Sequence, residues 1–537
     1  MKNQSNRLDD EQVRRFICDG VLVLDSGVER SVHDKIYDKI QWNNTREFNM
    51  GNNVLPRVAE LQQIIDAPAI QGALNSILGD DYILHPHRFM HASEPLPESE
   101  RNLNLEGYEH APPMGEGSVA QSNWHQDGHC PLSRARYHLP RFAMIMYFPQ
   151  DTPVERGPTR VIPGTQLQPY LEEEDYPFAF VCDHIKAGTC FLIAWDIAHA
   201  ALSNLTDSSR YMLKFIFMRT RNPEVPSWDG GDGPWQEPQE RLGRYDHNKA
   251  WCYIWDWMRS ASRSENIEAT SNDIERWTSL LNNVDQEARL DAIYQLAEAG
   301  AEAVEPVIES LLQYADLGLE CDLPRQRDEY GSLIAEGDPN ERRWSDRAYA
   351  LQDESYALGA MGEVAIEGLI ELVKHDDPWI KINAAFSLGE IGPNAARAIP
   401  ALTELLDHKM SQVARVSLDS MACIGSNTGV ALPAIRKVLT LSNPDWQEPS
   451  ARGGWLGETQ VRFNALYALL CSDIPMDEID DVLVACLNDQ FGYVHSLALE
   501  ALTRERSGED RPGLRKAVHY LKTHRWDHTL ANGQRVF

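Results

Sequence analysis

A histidine and an aspartate two positions apart, followed much later in the chain by a second histidine, are residue types that could hold a metal ion. His125 and Asp127 flank Gln126, and His199 lies far downstream. In an extended segment residues i and i+2 point to one face, so His125 and Asp127 could bind one ion while Gln126 points away. Two imidazoles and one carboxylate form the set that holds Fe(II) on one side and leaves the other positions open. We therefore treat His125, Asp127 and His199 as candidate iron ligands and as the catalytic centre.

Two apolar segments must position the distal part of this site. Residues 188–195 and 211–218 are rich in aromatic and β-branched side chains, which predicts two buried strands. His199 falls between them and Arg210 opens the second. If the two strands form an antiparallel pair, His199 and Arg210 lie close together. A guanidinium there suits a carboxylate, because it donates paired hydrogen bonds and stays charged. Taken alone, the pair is explained as well by a turn histidine and a surface charge.

The order of these residues resembles the phytanoyl-CoA dioxygenase family of Fe(II)/2-oxoglutarate oxygenases. The family's distal motif of Gly, apolar strand, His, Asn and Arg is matched by Gly188, His199, Asn204 and Arg210. Its Gly-Pro-x-x-x-x-Pro-Gly stretch is similar to residues 157–164, and its opening helix and strand to residues 8–24. The resemblance covers residues 8–222.

The sequence departs from the family in two places. Many members continue Pro-Gly-Ser-His where this chain has Thr165-Gln166 after Pro163-Gly164, which puts any role of that histidine in doubt. A long polar segment rich in Pro and Glu lies between Arg88 and Trp124, as an insertion or a lid. Neither departure touches a candidate iron ligand.

The resemblance implies a double-stranded β-helix, or jelly roll, with iron in the barrel mouth. It implies that 2-oxoglutarate is the co-substrate, that its far carboxylate binds Arg210, and that O2 is the oxidant. Ascorbate is a candidate reductant. Asn204 and Lys214 are further candidates for co-substrate binding, since Lys214 shares a strand face with Arg210. Related halogenases lack the carboxylate ligand, so Asp127 favours hydroxylation, desaturation or ring formation over halogenation.

The C-terminal half predicts a second architecture. Ala357-Leu-Gly-Ala-Met-Gly362, Ser387-Leu-Gly-Glu-Ile-Gly392 and Ala422-Cys-Ile-Gly425 recur about every 30 residues, a period typical of an α-solenoid of paired helices. These units resemble HEAT repeats, with weaker copies at 292–312, 461–487 and 493–521. The predicted organisation is an oxygenase domain over residues 1–222, a junction over 223–284 and a solenoid over 285–537.

The junction is dense in tryptophan, proline and glycine. Its aromatic residues could form a platform for a ligand, or they could join barrel to solenoid by burying large rings, which their position favours. These residues are Trp228, Trp235, Trp251, Trp255 and Trp257.

The composition of the chain limits which partners it can bind and in which cellular compartment it is expected. With 81 acidic and 50 basic residues the net charge is −31, which disfavours nucleic acid as a substrate. No apolar run approaches the roughly 20 residues that span a bilayer, and the N-terminus lacks a signal-peptide core. Nine cysteines without a Cys-x-x-Cys motif favour reduced thiols. A cytoplasmic enzyme without a membrane partner fits these observations.

Substrate recognition has several candidates. A basic cluster after the His-x-Asp motif could bind an anionic substrate, or it could pair with acidic groups of the solenoid; it contains Arg134, Arg136, His138, Arg141, Arg156 and Arg160. On the strand predicted near residue 87, His87 and His91 share a face and Arg88 points the other way. We take His87, Arg88, Arg134, Arg136 and Arg160 as candidate substrate contacts.

The sequence thus predicts an Fe(II)/2-oxoglutarate dioxygenase that hydroxylates a small molecule. The solenoid would serve as a structural wall, as a homodimer surface, or as a cover of the active site that is packed on the same chain. One alternative is a protein hydroxylase whose solenoid captures a polypeptide substrate. A second alternative is a scaffold whose barrel is a catalytic remnant.

Overall fold

The computed structural model describes residues 6–46, 50–101, 124–127, 137–169, 171–261, 268–283, 285–316, 320–321, 340–341, 351–447, 456–489, 491–503, 513 and 517. Arg134, Arg136, most of the segment between Arg88 and Trp124, and much of the 493–521 copy lie outside these ranges. Among the helices in the described ranges, none is both long and apolar enough to cross a membrane. The cysteines whose side chains the structure describes are free thiols.

The N-terminal part combines short helices with two sheets. Its helices are α1 Asp10–Asp19, α2 Arg30–Asn44, α3 Val54–Arg57, α4 Leu61–Ile65 and α5 Pro68–Leu78. Its strands are β1 Val21–Asp25, β2 Tyr82–Ser93, β3 Phe142–Tyr147, β4 Thr159–Ile162, β5 Phe180–Val181, β6 Thr189–Ala194, β7 Ala198–Ala201 and β8 Arg210–Arg219.

The first helix and strand follow from local sequence signals. Asp9 and Gln12 form a capping box, in which each side chain accepts from the backbone N–H of the other residue. The helix ends at Gly20, whose φ of 69° suits a residue without a Cβ. The predicted opening helix and strand are therefore present as α1 and β1.

Two antiparallel sheets form the predicted jelly roll. The larger has the strand order β1-β6-β3-β8-β2 and the smaller β5-β4-β7. The outer face of the larger sheet packs on the N-terminal helices: the rings of Tyr37 and Tyr211 lie 5.4 Å apart, and His33 hydrogen-bonds Tyr147. The inner face is lined by apolar side chains of β3 and β8.

The predicted pairing of the two distal strands is wrong. Strand β6 pairs with β1 and β3, and β3 separates it from β8. His199 is also not in a turn, since it lies on β7 of the smaller sheet, opposite Val161 of β4. The polar residues between β6 and β8 thus cross from one sheet to the other, which sequence periodicity alone does not show.

The C-terminal part is helical, as the repeats predict. Helices α6 Asn248–Met258 and α7 Ser271–Leu280 precede it. The solenoid contains α8 Gln286–Ala299, α9 Ala301–Leu312, α10 Asp353–Met361, α11 Ile366–Leu372, α12 Pro378–Ile391, α13 Ile399–Glu404, α14 Ser411–Ile424, α15 Leu432–Thr440, α16 Gly457–Cys471, α17 Met476–Cys486 and α18 Gly492–Thr503. The short pairs 320–321 and 340–341 form a separate two-stranded sheet. Helices α8, α10, α12, α14, α16 and α18 pack on one another in that order and form one inner row.

This inner row faces the jelly roll. Tyr137 donates to Asp419 of α14 over 2.6 Å, and Arg141 donates to Glu390 of α12 over 3.2 Å. Further contacts follow along the row: His138 with Tyr294 and Tyr356, the Arg219 carbonyl with Tyr467, and His87 with Tyr493. The solenoid is packed on the oxygenase domain of its own chain.

The tryptophans of the junction pack against other side chains and do not form an open platform for a ligand. Trp251 and Trp255 of α6 are buried, and the Trp228 and Trp255 rings lie 5.1 Å apart. The Trp228 indole N–H donates to Asp10 of α1 over 2.7 Å. This arrangement supports the interpretation that the rings join the two parts of the chain.

Candidate active site

The first two candidate ligands lie on a short extended segment that pairs with β7. The backbone N–H of His125 donates to the His199 carbonyl over 3.1 Å, and that of His199 to the His125 carbonyl over 3.0 Å. Their rings lie on one side, with centroids 4.2 Å apart. Gln126 points away, as expected, and its amide donates to the carbonyls of Thr165, Gln168 and Asp196. These bonds anchor the ligand segment from behind.

Three donor atoms converge in front of this segment. Asp127 Oδ1 lies 3.8 Å from His125 Nε2, and Asp127 Oδ2 lies 3.6 Å from His199 Nε2. His199 Nδ1 bonds the Ile197 carbonyl at 3.0 Å, which leaves the Nε2 lone pair available to a metal. Burial, and then the charge of Lys214, lower the pKa of His199 well below its ordinary value, so the ring is neutral.

The donor set fits a divalent transition metal. One atom from each of the three residues lies within 4.8 Å of the others, and the set of two nitrogens and one oxygen suits Fe(II). His125, Asp127 and His199 would hold the ion. Iron bound there, with 2-oxoglutarate and O2, supplies the oxidising power for an unactivated C–H bond.

Lys214 lies directly against these donors. Its ammonium donates to Asp127 Oδ2 over 2.8 Å and lies 3.1 Å from His199 Nε2. The Lys214 side chain is 4% exposed. It therefore lies inside the site, and its predicted contact with the co-substrate stays a prediction.

Arg210 opens β8 and is buried. Its Nε donates to the Gly157 carbonyl over 2.9 Å, but Nη2 has no partner among the described residues. Burial, and then Arg156, lower the pKa of Arg210 to about 10, which still leaves it charged near neutral pH. A buried guanidinium nitrogen without an acceptor is costly, and a carboxylate would satisfy it. Arg210 thus fits the far carboxylate of 2-oxoglutarate.

Asn204 supports this site indirectly. Its Nδ2 donates to the carbonyls of Ser93 and Ser208, and its Oδ1 accepts from the N–H and hydroxyl of Thr206. The amide is saturated by its own chain. Asn204 therefore holds the turn before β8, and any effect on co-substrate binding acts through that turn.

A row of rings on β2 faces the same interior. Phe89 is the register partner of Lys214, and His91 that of Met212. The ring of Phe89 lies 5.0 Å from that of His91 and is stacked with that of His87 at 6.3 Å. Sequence reasoning placed His87 and His91 on one face but missed Phe89, although the alternation 87, 89, 91 could have indicated it.

Several predicted substrate contacts lie elsewhere. Arg88 has Phe215 as its register partner and lies on the opposite face of β2, where it bonds Asn52. Arg160 is paired with Ala200 on the outer face of the smaller sheet, with its guanidinium 4.6 Å from the centre of the Trp124 ring. Neither residue points toward the metal donors, because neighbouring strand residues alternate between faces. Arg134 and Arg136 lie outside the described residues.

The other members of the basic cluster are also engaged. Arg141 pairs with Glu390 of the solenoid, as the ion-pairing alternative predicted, whereas His138 bonds the hydroxyl of Tyr294. Arg156 donates to the Asp151 and Ser209 carbonyls and to the Tyr37 hydroxyl. Gln166, which replaces the histidine of many family members, donates to the carbonyls of Ile17 and Cys18 at the end of α1.

Two facing antiparallel sheets with this donor set between them define a jelly-roll metal oxygenase. Residues 16–212 match the phytanoyl-CoA dioxygenase (PhyH) family, and residues 341–446 match HEAT repeats. The N-terminal part of the chain thus contains a domain of the phytanoyl-CoA dioxygenase type, and the protein is a 2-oxoglutarate-dependent non-haem iron oxygenase. No curated relative matches the sequence.

Several solved structures of other proteins match a part of this chain. The α-ketoglutarate-dependent carbocyclase SnoK from nogalamycin biosynthesis is 17% identical, with 41% of this chain and 87% of that chain covered and a TM-score of 0.31. EctD from S. alaskensis, solved with 2-oxoglutarate and 5-hydroxyectoine, is 15% identical, with 45% and 87% covered and a TM-score of 0.30. CytC3, solved with Fe(II) and α-ketoglutarate, is 14% identical, with 40% and 79% covered and a TM-score of 0.28.

Proposed function

We propose that this protein oxidises an unactivated C–H bond of a small metabolite or natural-product intermediate, most simply by hydroxylation. Three residues would bind iron, namely His125, Asp127 and His199, and Arg210 would hold the co-substrate. The presence of Asp127 favours hydroxylation, desaturation or ring formation over halogenation, because the carboxylate occupies a position that a halide would need.

One observation carries the choice of a small molecule over a polypeptide. The inner row of the solenoid is the surface that a solenoid offers to a protein partner. Here that row is packed against the jelly roll, for example through Tyr137 with Asp419 and Arg141 with Glu390. This packing supports a solenoid that encloses the active site over one that captures a separate protein. The anionic character of the substrate stays a prediction, based on Arg134 and Arg136.

The co-substrate assignment is tested by anaerobic titration of the Fe(II)-loaded protein with 2-oxoglutarate. The chelate gives a weak visible charge-transfer band, from which the dissociation constant is obtained. In Arg210→Ala we expect at least about thirty-fold weaker binding, because removing a buried charged partner costs about 2 kcal/mol or more. Arg397→Ala, which removes an exposed arginine of the solenoid, is the control and should bind like the wild type.

A substrate screen tests the rest of the proposal. We expect small organic molecules to accelerate succinate formation from 2-oxoglutarate, and peptides and folded proteins to leave it unchanged. Acceleration by proteins alone would favour the protein hydroxylase. An Fe(II)-loaded protein that gives no band and forms no succinate would favour the scaffold.

A further inference from the structure

A residue of the solenoid holds the ring of His87. The Tyr493 hydroxyl on α18 lies 2.7 Å from His87 Nδ1, and the side-chain nitrogen of Asn52 donates to the same hydroxyl over 2.8 Å. The rings of His85 and Phe463 pack against Tyr493, with centroids 5.8 and 6.3 Å away. The last inner helix therefore contributes to the wall of the oxygenase domain at β2.

The donors of this network favour one tautomer of His87. The backbone N–H of Arg88 donates to Asn52 Oδ1 over 3.1 Å, so the Asn52 atom facing Tyr493 is the nitrogen, which can only donate. The Tyr493 oxygen accepts that hydrogen, and its own hydrogen is available for donation to His87 Nδ1. Burial lowers the pKa of His87 to about 4, so its ring is neutral near pH 7. A neutral imidazole that accepts at Nδ1 carries its hydrogen on Nε2.

The Nε2–H of His87 has no acceptor among the residues that the structure describes, since the ring's hydrogen bond there is the one to Tyr493. His87 is 5% exposed, and its Nε2 is not one of the fully buried side-chain nitrogens that lack a partner, as His85 Nε2 is, so this edge of the ring stays accessible to a ligand oxygen. Nδ1 and Nε2 lie on opposite edges of the ring, so Nε2 points away from Tyr493. His87 also shares its strand face with Phe89, whose register partner Lys214 touches Asp127 and His199.

We propose that His87 Nε2–H binds an oxygen acceptor of the substrate, and that Tyr493 is a positioning residue that holds His87 in the Nε2–H tautomer. The acceptor is a carbonyl, hydroxyl or carboxylate oxygen. This inference rests on the proposed function and deepens it, because the solenoid completes the substrate pocket. A substrate without such an oxygen leaves the donor unpaired and is discriminated against.

The tautomer is tested on the full-length protein carrying isotope-labelled histidine and loaded with Zn(II), a diamagnetic stand-in for iron, and 2-oxoglutarate. Long-range proton–nitrogen NMR distinguishes the two tautomers, and His87→Gln identifies the signal by its loss. We expect the hydrogen on Nε2 in the wild type and a mixture of tautomers in Tyr493→Phe. Tyr467→Phe, which removes another interface hydroxyl, should leave the His87 signal unchanged. A hydrogen on Nδ1 in the wild type, or no change in Tyr493→Phe, overturns the proposal.

Recognition of an oxygen acceptor is tested with acetate as the probe. We expect acetate to shift the His87 Nε2 signal in a saturable manner, with about tenfold weaker binding in Tyr493→Phe, as expected for one misplaced hydrogen bond. Methylammonium, which cannot accept a hydrogen bond, should cause no shift. Equal responses to both ions, or none to acetate, contradict the recognition role.

The outcome is separable from that of the proposed function. Tyr493→Phe removes the hydroxyl that bonds His87 and Asn52 and leaves His125, Asp127, His199 and Arg210 in place, so it should keep the charge-transfer band of the Fe(II) complex with 2-oxoglutarate. A wild-type protein without the band contradicts the proposed function, whatever the tautomer. A normal band together with the Nδ1–H tautomer contradicts this inference alone.

Discussion

The metal donors share their site with an ammonium group. Lys214 donates to Asp127 Oδ2 and lies within hydrogen-bond distance of His199 Nε2. Iron needs the same nitrogen lone pair and the same carboxylate charge. Lys214 and a metal ion therefore compete for His199, and the positive charge of Lys214 also weakens the attraction of Asp127 for a second cation.

Replacing this lysine should strengthen metal binding. In Lys214→Met the ammonium is absent and a side chain of similar length remains, so we expect Co(II) to bind about tenfold more tightly, the equivalent of losing one competing charge-assisted hydrogen bond. The measurement is a titration followed by the visible absorption of bound Co(II). Lys374→Met, at an exposed pair with Glu371, is the control and should not change the affinity. Weaker binding in Lys214→Met would mean that the ammonium supports the metal instead of competing with it.

For single residues, the sequence predicts the candidate metal ligands better than it predicts the side chains that contact them. His125 and Asp127 follow from a local rule, because i and i+2 share a face of any extended segment. The contact of Lys214 with Asp127 depends on which strand lies opposite the ligand segment. That choice is made by the packing of two sheets, and no spacing along the chain contains it.

Gly157, which follows a short 3₁₀ turn at Val154–Arg156, helps to hold Arg210, the proposed co-substrate arginine. Gly157 has a φ of 72°, and its carbonyl accepts from Arg210 Nε. A Cβ built on Gly157 would lie 2.4 Å from the Leu202 carbonyl oxygen and 2.8 Å from that of Ser203. The predicted Gly-Pro-x-x-x-x-Pro-Gly stretch thus has a steric reason for its first glycine.

Gly157→Ala should affect both stability and co-substrate binding. We expect a loss of about 1–3 kcal/mol in the free energy of unfolding, because the φ is unfavourable and the blocking atoms belong to the backbone. Weaker 2-oxoglutarate binding should accompany it, since the acceptor of Arg210 is displaced. Urea denaturation and the charge-transfer titration measure the two effects.

The matched control is Gly27→Ala. Gly27 has a similar φ of 67°, but its Cβ would meet nothing within 4 Å. It should lose only the stability due to its φ and keep the 2-oxoglutarate affinity of the wild type. Equal losses in both variants would mean that the contacts with Leu202 and Ser203 relax without consequence.

Elements were predicted better than their connections. Strands β6 and β8 were found from their apolar residues, but their direct pairing was not, because β3 is inserted between them. Strand β7, within the crossover, is only four residues long and contains three alanines, so its sequence shows no clear alternation of polar and apolar residues. Strand identity is local, whereas strand order depends on how the sheets close around a shared core.

At the scale of the whole molecule, the repeats predict a solenoid but not where its inner row lies. Each unit has helices with apolar faces that end at or near a glycine. Neighbouring helices of the solenoid cover these apolar faces. The residues that contact the jelly roll, such as Asp419, Glu390 and Tyr493, are polar, and their residue types do not recur from repeat to repeat. Their partners lie hundreds of residues away, so only the folded chain identifies them.

The buried pair of Arg141 and Glu390 should make the two parts unfold together. Its side chains are 6% and 5% exposed. In Glu390→Gln the Arg141 charge stays buried without its counter-charge, so we expect a loss of about 3–5 kcal/mol in the free energy of unfolding. Urea denaturation followed by tryptophan fluorescence and by helical circular dichroism should give one shared transition in the wild type and a lower shared midpoint in the variant. Glu367→Gln, whose pair with Arg397 is exposed, should change the free energy by less than about 0.5 kcal/mol. If both variants unfold like the wild type, the pair does not hold the solenoid to the oxygenase domain, and the enclosure of the active site must rest on the tyrosine contacts.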